Sequence, residues 1–526
     1  MPQRNRDTHT TGNTHPQATK PAPARRKRTP TQAKAEARRQ AQAKAKAHRQ
    51  AQAQQAIDNP PPAYAESLPI IHRHAAGIDI AAETHWVCVG ATRDGSDTVR
   101  EFPAYTDGLT AIVAWLRDCG VTTVAMESTG IYWVPLYELL EAEGFEVLLV
   151  DPSYTKQVKG RPKTDRRDCQ WIQRLHAHGL LAAAFRPDEP TCVLRSYLRL
   201  RANHVRYAGQ HIQPRQKALE QMHLQLPEVV SDLTGVTGMC IIQAMLRGER
   251  DPGRLATSRA RRCKASAETI AQALSGSSRD EHLLALQQAV EGWEFYQRTI
   301  AALDRVIEPQ LQGMKKSPLL PPVPPKPRVR KRPPNAPRFA VRTALYYVTG
   351  TDLTEIEGID ELTALTVISE IGSDMTRWQT VKHGCSWLGL CPQHKSSGGK
   401  ITSSRTRPGM NRAAAAWCLG ASSLHRSQSA VGAYFRRMKS RLGTPKAVTA
   451  TAHKMARIVY NTLRYGREYV KKTQDEYDAL MRDRQLKSLK RKARMLGFEI
   501  VERVLPPPPH VAPADNNPAP ATTARR

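Results

Sequence analysis

The sequence predicts an α/β domain with a mixed sheet, followed by a helical arm and a mostly α-helical second domain. Strand-like and helical segments alternate from Ile70 to about residue 190. From about Leu194 to Leu311, apolar residues recur at three- and four-residue steps, which is typical of long helices. A chain of 526 residues also exceeds one ordinary hydrophobic core, so two or three domains are expected.

The first folded region divides into strands and helices in a regular order. AAGIDIAAETHWVCVGATR predicts two strands, TVREFPAY a third, and DGLTAIVAWLRDCG a helix that ends at glycine. VTTVAMES then predicts a buried strand, STGIYWVPLYELLEAEG a second helix, and FEVLLVDPS another strand. DRRDCQWIQRLHAHG predicts a further helix. This alternation indicates helices packed on a mixed sheet.

Composition divides the chain into six segments. The first three are a disordered basic tail (1–69), the α/β domain (70–190) and a helical or coiled-coil arm (191–313). A proline-rich linker (314–340), the second domain (341–472), and a basic helix with a disordered tail (473–526) follow. Part of the first tail, QAKAEARRQAQAKAKAHRQAQAQQA, either folds as a helix on a nucleic acid or stays a solvated basic segment.

The charge of the chain indicates a polyanionic partner. The net charge is +31 and the isoelectric point is near 10, although membrane surfaces and acidic proteins also attract cations. No apolar run is long enough for a transmembrane helix, and the N-terminus lacks the apolar core of a secretory signal, so no membrane partner is expected. Nine scattered cysteines without a CxxC pair predict reduced thiols in a cytoplasmic protein and no structural zinc.

Four acidic residues are candidates for one metal site. Asp79 lies inside the first predicted strand, where a carboxylate is costly unless it is paired or binds a cation. Glu127 ends the strand VTTVAME, at the sheet edge where α/β domains place their sites. Asp165 and Asp168 are three residues apart at the start of a predicted helix, which places both on one face of its first turn.

Four neighbouring carboxylates would need cations to stay ionised together. Two Mg²⁺ ions about 4 Å apart would neutralise them and would activate phosphodiester chemistry. The surrounding cations would then face a phosphate backbone; they are Arg161, Lys163, Arg166 and Arg167. Simpler interpretations remain, because Asp165 could be a helix N-cap and Asp168 could pair with Arg167 or Lys163.

Three segments resemble one protein family. GIDIA at Gly77, MESTGIYWVPLYELLEAEGFEVLLVDP at Met126 and KTDRRDCQWIQRLHAHGLL at Lys163 closely resemble the DEDD transposases of bacterial insertion sequences, the IS110 family. IQPRQKALEQMHLQLPEVVSDLTGVTGMCIIQAMLRGERDP is similar to its subgroup with subterminal inverted repeats. The resemblance implies a ribonuclease-H-like (RuvC-like) domain, a coiled-coil arm and a C-terminal transposase domain. It assigns the DEDD carboxylates to Asp79, Glu127, Asp165 and Asp168.

The second domain carries two further motifs. EIEGIDELTALTVISEIGSDMTRW resembles a helix-hairpin-helix element, although it could be an ordinary helical hairpin. In the stretch around SSGGK, glycines would let the backbone approach a phosphate and nearby cations would stabilise its charge. Those cations are Lys395, Lys400, Arg405, Arg407 and Arg412. The resemblance implies a serine nucleophile here, which maps best to Ser397, with Ser396 as the alternative.

The sequence and the resemblance together predict a transposase that recombines DNA through a serine nucleophile with metal assistance. The expected partners are donor DNA, target DNA, a guide RNA encoded by the element, and further copies of the chain in a dimer or tetramer. We expect a cytoplasmic, nucleoid-associated bacterial protein. The alternatives are a Holliday-junction-type metal-dependent DNA endonuclease, which needs no serine, and a nucleic-acid-binding protein without activity.

Overall fold

The computed structural model describes residues 68–90, 92, 95–152, 164–314, 335–409, 411–466 and 473–501. The predicted N-terminal tail lies almost entirely outside these residues, as do most of the predicted linker and the C-terminal tail. The chain divides into two compact units, and the division falls between Phe185 and Arg186. Among the described residues, no helix is both long enough and apolar enough to cross a membrane.

The first unit contains a five-stranded mixed sheet in the order β3-β2-β1-β4-β5. Its strands are β1 (Ala75–Ile80), β2 (Thr84–Val89), β3 (Val99–Pro103), β4 (Thr123–Glu127) and β5 (Glu146–Val150). The first three strands form an antiparallel meander, whereas β4 pairs in parallel with both β1 and β5. The C-terminal ends of β1, β3, β4 and β5 therefore lie at the same edge of the sheet.

Among the described residues, two helices cover one face of the sheet and a third helix covers the other face. They are α1 (Thr106–Asp118), α2 (Trp133–Ala142) and α3 (Asp165–Ala177). Ile78 and Met126 point to the core formed with α1 and α2, which also contains Ile112 and Leu136. Because side chains alternate along a strand, the residues between them face α3. The predicted ribonuclease-H-like fold is confirmed, with helices on both faces of the mixed sheet.

The second unit begins with the long helices that the sequence predicts. Its first part consists of α4 (Glu189–Gln210), α5 (Ile212–Gln221), α6 (Leu226–Val229), α7 (Val236–Leu246), α8 (Pro252–Thr257), α9 (Ala267–Ala273) and α10 (Asp280–Gly313). Helix α10 runs antiparallel to α4 and α5 and packs against both of them. The short helices enclose a core around Leu219, Ile241 and Leu286.

A buried ion pair joins the two long helices. Nε of Arg201 in α4 donates to Oδ1 of Asp304 in α10 at 2.6 Å, and both side chains are almost fully buried. The Arg201 guanidinium also donates to the Asn335 carbonyl, and the backbone N–H of Arg338 donates to Asp304. Residues 335–340, at the end of the predicted linker, are therefore anchored on these helices.

The rest of the second unit is mostly helical, as predicted. It contains α11 (Val341–Thr349), α12 (Glu361–Ile371), α13 (Val381–Trp387), β6 (Lys395–Ser397), β7 (Lys400–Ser403), α14 (Arg412–Ser423), α15 (Ala430–Leu442), α16 (Thr444–Tyr465) and α17 (Gln474–Met495). Helix α12 is held to α4 because Glu370 accepts two hydrogen bonds from Arg199, at 2.8 and 2.7 Å. The small sheet formed by β6 and β7 was not predicted.

Candidate active site

Helix α3 lies along the sheet with its N-terminus at the edge where β1 and β4 end. Beside β1, Nε2 of Gln173 donates to the carbonyl of Ala75 at 3.2 Å. Four residues earlier in the helix, the carbonyl of Cys169 lies against Gly77, where a Cβ atom would be only 2.6 Å from the carbonyl oxygen. A Cβ atom on Gly77 would also meet the backbone nitrogen of Gln173 at 2.1 Å, so β1 runs past Gln173 and Cys169 toward the N-terminus of the helix.

Strand β4 runs past α3 in the same direction. His176 hydrogen-bonds through Nε2 to Oγ1 of Thr123 at 2.9 Å, and Ile172, four residues earlier, packs on Ala125. Two strand residues rise about 6.6 Å and four helical residues rise about 6 Å, so the strand and the helix advance by similar lengths in these steps. Both strands therefore run alongside α3 in steps of the same length.

The next step of this ladder carries the four predicted carboxylates. Beside β1, the pair that follows Gly77 and Cys169 is Asp79 and Asp165. Beside β4, the pair that follows Ala125 and Ile172 is Glu127 and Asp168. Asp79 and Glu127 leave neighbouring parallel strands at the same level, since Ile78 pairs with Met126. Continuing both strands past α3 in this direction would bring the four acids to one face and one edge of the sheet.

The first turn of α3 is capped by Thr164 and not by Asp165. The Thr164 side chain accepts a hydrogen bond from the backbone N–H of Arg167 at 3.3 Å. The interpretation of Asp165 as the N-cap is therefore wrong. Asp165 is exposed, whereas Asp79, Glu127 and Asp168 are half-buried.

Two buried cysteines lie beneath the carboxylates. Cys169 in α3 and Cys88 in β2 pack together with Val99. The pKa of the Cys169 thiol is raised by its hydrogen bond with Cys88, by burial, and by the negative charge of nearby Asp79. Cys169 is therefore a neutral core residue. The influence of Asp79 on this thiol agrees with its place one step above Cys169.

The carboxylates suit a hard divalent cation by their chemistry and by their shared edge. Carboxylate oxygens are the ligands that Mg²⁺ prefers. Within the described part of the chain, however, no three Asp, Glu, His or Cys side chains stand in an arrangement that could already hold a metal ion. The three half-buried acids also interact with other groups. Binding a metal would therefore require rotation of these side chains on a backbone that is already aligned.

The cations predicted around this site have different environments. Arg166 donates to Asp97 in the β2–β3 connection at 2.5 Å, and this hydrogen bond lowers the pKa of the Asp97 carboxyl. Arg167 is exposed on the first turn of α3. Arg161 and Lys163 lie outside the described residues.

The SSGGK stretch forms a tight β-hairpin. Gly398 and Gly399 have φ angles of +55° and +74° and connect β6 to β7. Two consecutive positive φ angles are the requirement of the two-residue turn that best fits a twisted hairpin. Thr402 secures the base through a hydrogen bond from its hydroxyl to the Lys395 carbonyl at 2.9 Å. This segment is therefore an ordered hairpin and not only a flexible loop.

The two candidate serines face different neighbours across this hairpin. Ser397 is the cross-strand partner of Lys400, whereas Ser396 pairs with the exposed Ile401. Directly opposite side chains lie on the same face with Cβ atoms about 4.5–5.5 Å apart. Both serines are exposed, and within the described residues neither hydroxyl has a hydrogen-bond partner. Ser397 thus shares its face with a cation.

The other predicted cations of this region follow the hairpin. Lys395 and Lys400 are exposed on its strands. Arg405 is exposed just after β7, where its carbonyl accepts from the backbone N–H of Gln393 at 2.9 Å. Arg407 is half-buried, and Arg412 is exposed as the first residue of α14. Four of the five cations are therefore accessible to a large anion.

The predicted helix-hairpin-helix segment, residues 355–378, contains α12 and the connections on both sides of it. Asp360 caps α12 by accepting from the backbone N–H of Thr363 at 2.7 Å. Gly358, with a φ angle of +83°, packs against α14, where a Cβ atom would lie 2.8 Å from the Gly420 carbonyl oxygen. An acid at the helix start and a packed glycine make the connection before α12 a poor phosphate site.

Comparison with protein families identifies the chain. A DEDD transposase model of the IS110 type matches residues 76–224, which include all four candidate carboxylates. A second model, described as the transposase IS116/IS110/IS902 family, matches residues 350–436, which include the serine hairpin. The chain belongs to the IS110 family of transposases. No curated protein matches it significantly.

Membership in the IS110 family makes this chain a DNA-cleaving and DNA-recombining enzyme, with a DEDD domain of the kind that depends on a divalent metal. The subgroup with subterminal inverted repeats stays a prediction. Sequence reasoning did not single out Gly77, whose lack of a side chain lets α3 approach β1. A glycine inside a strand was the available signal, because it often marks close approach of another backbone.

Proposed function

We propose that this transposase breaks and rejoins DNA strands through Ser397, with two Mg²⁺ ions held by Asp79, Glu127, Asp165 and Asp168. The proposal is supported by the contacts of β1 and β4 with α3, which lead toward the four acids at the same edge of the sheet. Bound Mg²⁺ would neutralise the carboxylates and polarise a phosphodiester. The chain itself supplies the aligned oxygens, the neutral floor beneath them and the cations around them.

In the proposed reaction, the Ser397 hydroxyl loses its proton and its oxygen attacks the scissile phosphorus. A new bond forms between phosphorus and serine, the bond to one sugar oxygen breaks, and that oxygen leaves as a hydroxyl. A sugar hydroxyl of another strand then attacks the phosphoserine, restores a phosphodiester and releases the serine. One phosphodiester is exchanged for another at each step, so the reaction needs no external energy source.

The hairpin geometry supports Ser397 over Ser396 as the nucleophile. The ammonium group of Lys400 on the same face would stabilise a serine alkoxide and the charge of the phosphate under attack. Ser396 has an apolar partner instead, Ile401. The exposed cations Lys395 and Arg405 would hold the same strand by its phosphates.

We further propose that an RNA encoded by the element guides the reaction and that the chain acts as a homo-oligomer. A net charge of +31 can neutralise the phosphates of RNA and DNA held together. Base pairing by the RNA would then supply sequence specificity, while the protein supplies charge and chemistry. A dimer or tetramer would hold the two DNA strands that exchange ends.

The alternative function is a metal-dependent endonuclease of the Holliday-junction type. The four carboxylates alone favour it, because metal-activated water can hydrolyse a phosphodiester without a protein nucleophile. The two functions differ in one product. A serine recombinase leaves protein covalently joined to DNA, whereas the nuclease releases free ends.

The test is a recombination reaction with purified protein, Mg²⁺, labelled donor and target DNA, and RNA transcribed from the flanks of the element. Products are separated on a denaturing gel that resolves protein-linked DNA. We expect an adduct that depends on RNA and disappears in Ser397→Ala. Ser404→Ala is the matched control, because Ser404 is exposed just beyond β7 and should keep wild-type activity.

Two further variants separate the parts of the proposal. Ser396→Ala should retain the adduct, and loss of the adduct in this variant alone would move the nucleophile to Ser396. Asp79→Asn should abolish both adduct and recombinant while DNA binding persists. Cleavage without an adduct, unchanged in Ser397→Ala, would establish the endonuclease instead.

A further inference from the structure

A long acid-free stretch lies in the C-terminal half of the chain. The sequence contains no Asp or Glu between Asp374 and Glu468, although many Lys and Arg occur there. The serine hairpin uses only the first part of this stretch. Its second part forms α15, which extends past the matched segment 350–436, and α16, which lies entirely beyond it.

Helices α15, α16 and α17 enclose a cleft of about 530 Å³. Its cations come from all three helices; they are Arg437, Arg441, Lys454, Arg457 and Arg484. Among the residues that the structure describes, no carboxylate lines the cleft. At about 30 Å³ per water molecule, its volume is well above that of a site for a single ion or a few waters.

The arginines of the cleft are available for a ligand. Arg437, Arg441, Arg457 and Arg484 are all exposed, and none of them forms an ion pair with a carboxylate of the described residues. Exposed arginines elsewhere in a protein usually either form an ion pair or lie far from other cations. Like charges brought this close repel one another, so a bound polyanion would relieve the repulsion.

The cleft has a firm, partly aromatic floor. Nζ of Lys454 lies 4.4 Å from the ring centre of Tyr434 and 5.2 Å from that of Tyr477. Tyr477 belongs to α17 and packs on Ala430 and Ala433 of α15. The start of α17, the third helix of the cleft, is fixed by a capping box between Thr473 and Glu476.

We propose that this cleft binds the sugar–phosphate backbone of an unpaired nucleic-acid strand. Phosphates suit the arginine fork, and the aromatic floor can contact sugars and bases. A duplex presents its phosphates on a convex surface and could reach one wall of a concave cleft at a time. A single strand can enter and be contacted from all three helices. The residues of this cleft include neither the carboxylates nor the serine, so the inference extends the proposed function.

The salt dependence of binding reports the number of phosphate contacts. For single strands, the slope of log K against log salt concentration is about −0.7 for each neutralised phosphate. Removing two arginines of the cleft should therefore make this slope shallower by about 1.4. Because other basic surfaces of the chain also bind nucleic acids, the change in slope is more informative than the affinity alone.

The experiment measures binding of the full chain to a fluorescent single-stranded RNA, a single-stranded DNA and a duplex DNA of equal length over a salt series. The test variant is Arg437→Gln/Arg457→Gln, which removes a cation from each of two walls. The charge-keeping variant is Arg437→Lys/Arg457→Lys. The matched control is Arg117→Gln/Arg279→Gln, which removes two exposed arginines that are already paired with Glu143 and Glu281.

We expect the Gln variant of the cleft to lose affinity and slope for a single strand, with the Lys variant close to wild type and the control unchanged. Whether RNA or DNA responds more identifies the strand. An unchanged slope in the Gln variant, or a loss confined to duplex DNA, would overturn the proposal. The experiment measures binding and not recombination, so a failure of the metal proposal leaves this result intact.

Discussion

At the scale of single residues, Gly77 controls how closely helix α3 approaches the sheet. A Cβ atom at this position would lie 2.1 Å from the backbone nitrogen of Gln173 and 2.6 Å from the carbonyl of Cys169. Neither backbone atom can move unless the helix moves. The alignment of the carboxylates at the next step of the ladder therefore depends on the absence of a side chain here.

We predict that Gly77→Ala displaces α3 and lowers recombination at least about tenfold, since misplacement of reacting groups by 1 Å can cost about a hundredfold. Recombination and the melting temperature are measured together. Gly209→Ala in α4 is the control, because a Cβ atom there meets nothing within 4 Å and alanine favours a helix. Full activity of Gly77→Ala would show that the helix position is not limiting.

His176 makes the stability of the α/β unit depend on pH. Its ring is buried, hydrogen-bonds to Thr123 and stacks on His72 with ring centres 5.0 Å apart. Burial, together with the nearby His72, lowers the pKa of His176 from 6.5 to about 4. Between pH 6.5 and pH 4, His176 therefore binds a proton in the unfolded chain but stays neutral in the folded unit.

We predict that the free energy of unfolding falls as pH decreases from 6.5 to 4, by up to about 1.4 kcal/mol per pH unit from this residue. Denaturant unfolding across this range measures the slope. His176→Gln should remove the contribution of His176 to this pH dependence. It should leave the smaller contribution of His85, whose pKa is also lowered by burial. Identical slopes in wild type and variant would contradict the assignment.

At the scale of elements, periodicity alone predicted the strands and helices of the α/β unit. The i, i+3 spacing of Asp165 and Asp168 was also sufficient to place both acids on one helix turn. The register of α3 against β1 was not predictable, because it depends on a backbone contact at Gly77. The hairpin β6–β7 was missed since its strands have three and four residues and are largely exposed, so no alternation of apolar residues marks them.

The long helices α4 and α10 depend on the buried pair of Arg201 and Asp304. We predict that Asp304→Asn destabilises the second unit by about 3–5 kcal/mol, because it leaves a buried guanidinium without its counter-ion. Arg201→Met/Asp304→Leu should recover most of this loss, since no buried charge remains. Thermal unfolding of the three proteins is the measurement. Equal stability of the single and double variants would show that the ion pair matters less than packing.

At the scale of the whole molecule, charge is distributed unevenly, and only part of this was readable from the sequence. The net charge of +31 predicted a nucleic-acid partner. The cleft of α15, α16 and α17 was not predictable, because its cations lie on three helices that come together only in the tertiary structure. Sequence gives the amount of charge, whereas tertiary structure decides where it forms a concave site.

The basic N-terminal segment provides the last test of this charge distribution. Residues 2–66 carry an excess of Lys and Arg and either bind a nucleic acid or stay solvated. We predict that their deletion weakens binding to RNA and DNA and makes the salt slope shallower, while recombination at saturating protein stays within about twofold of wild type. The physical reason is that released counterions contribute to affinity and not to the chemical step.

Combining this deletion with Arg437→Gln/Arg457→Gln decides whether the segment and the cleft bind independently. Independent sites should give changes in log K that add, because distant groups without shared partners rarely couple. A combined loss smaller than the sum would mean that one strand passes over both surfaces. If the deletion leaves the slope unchanged, the N-terminal segment is a solvated tail, and the folded units alone hold the nucleic acid.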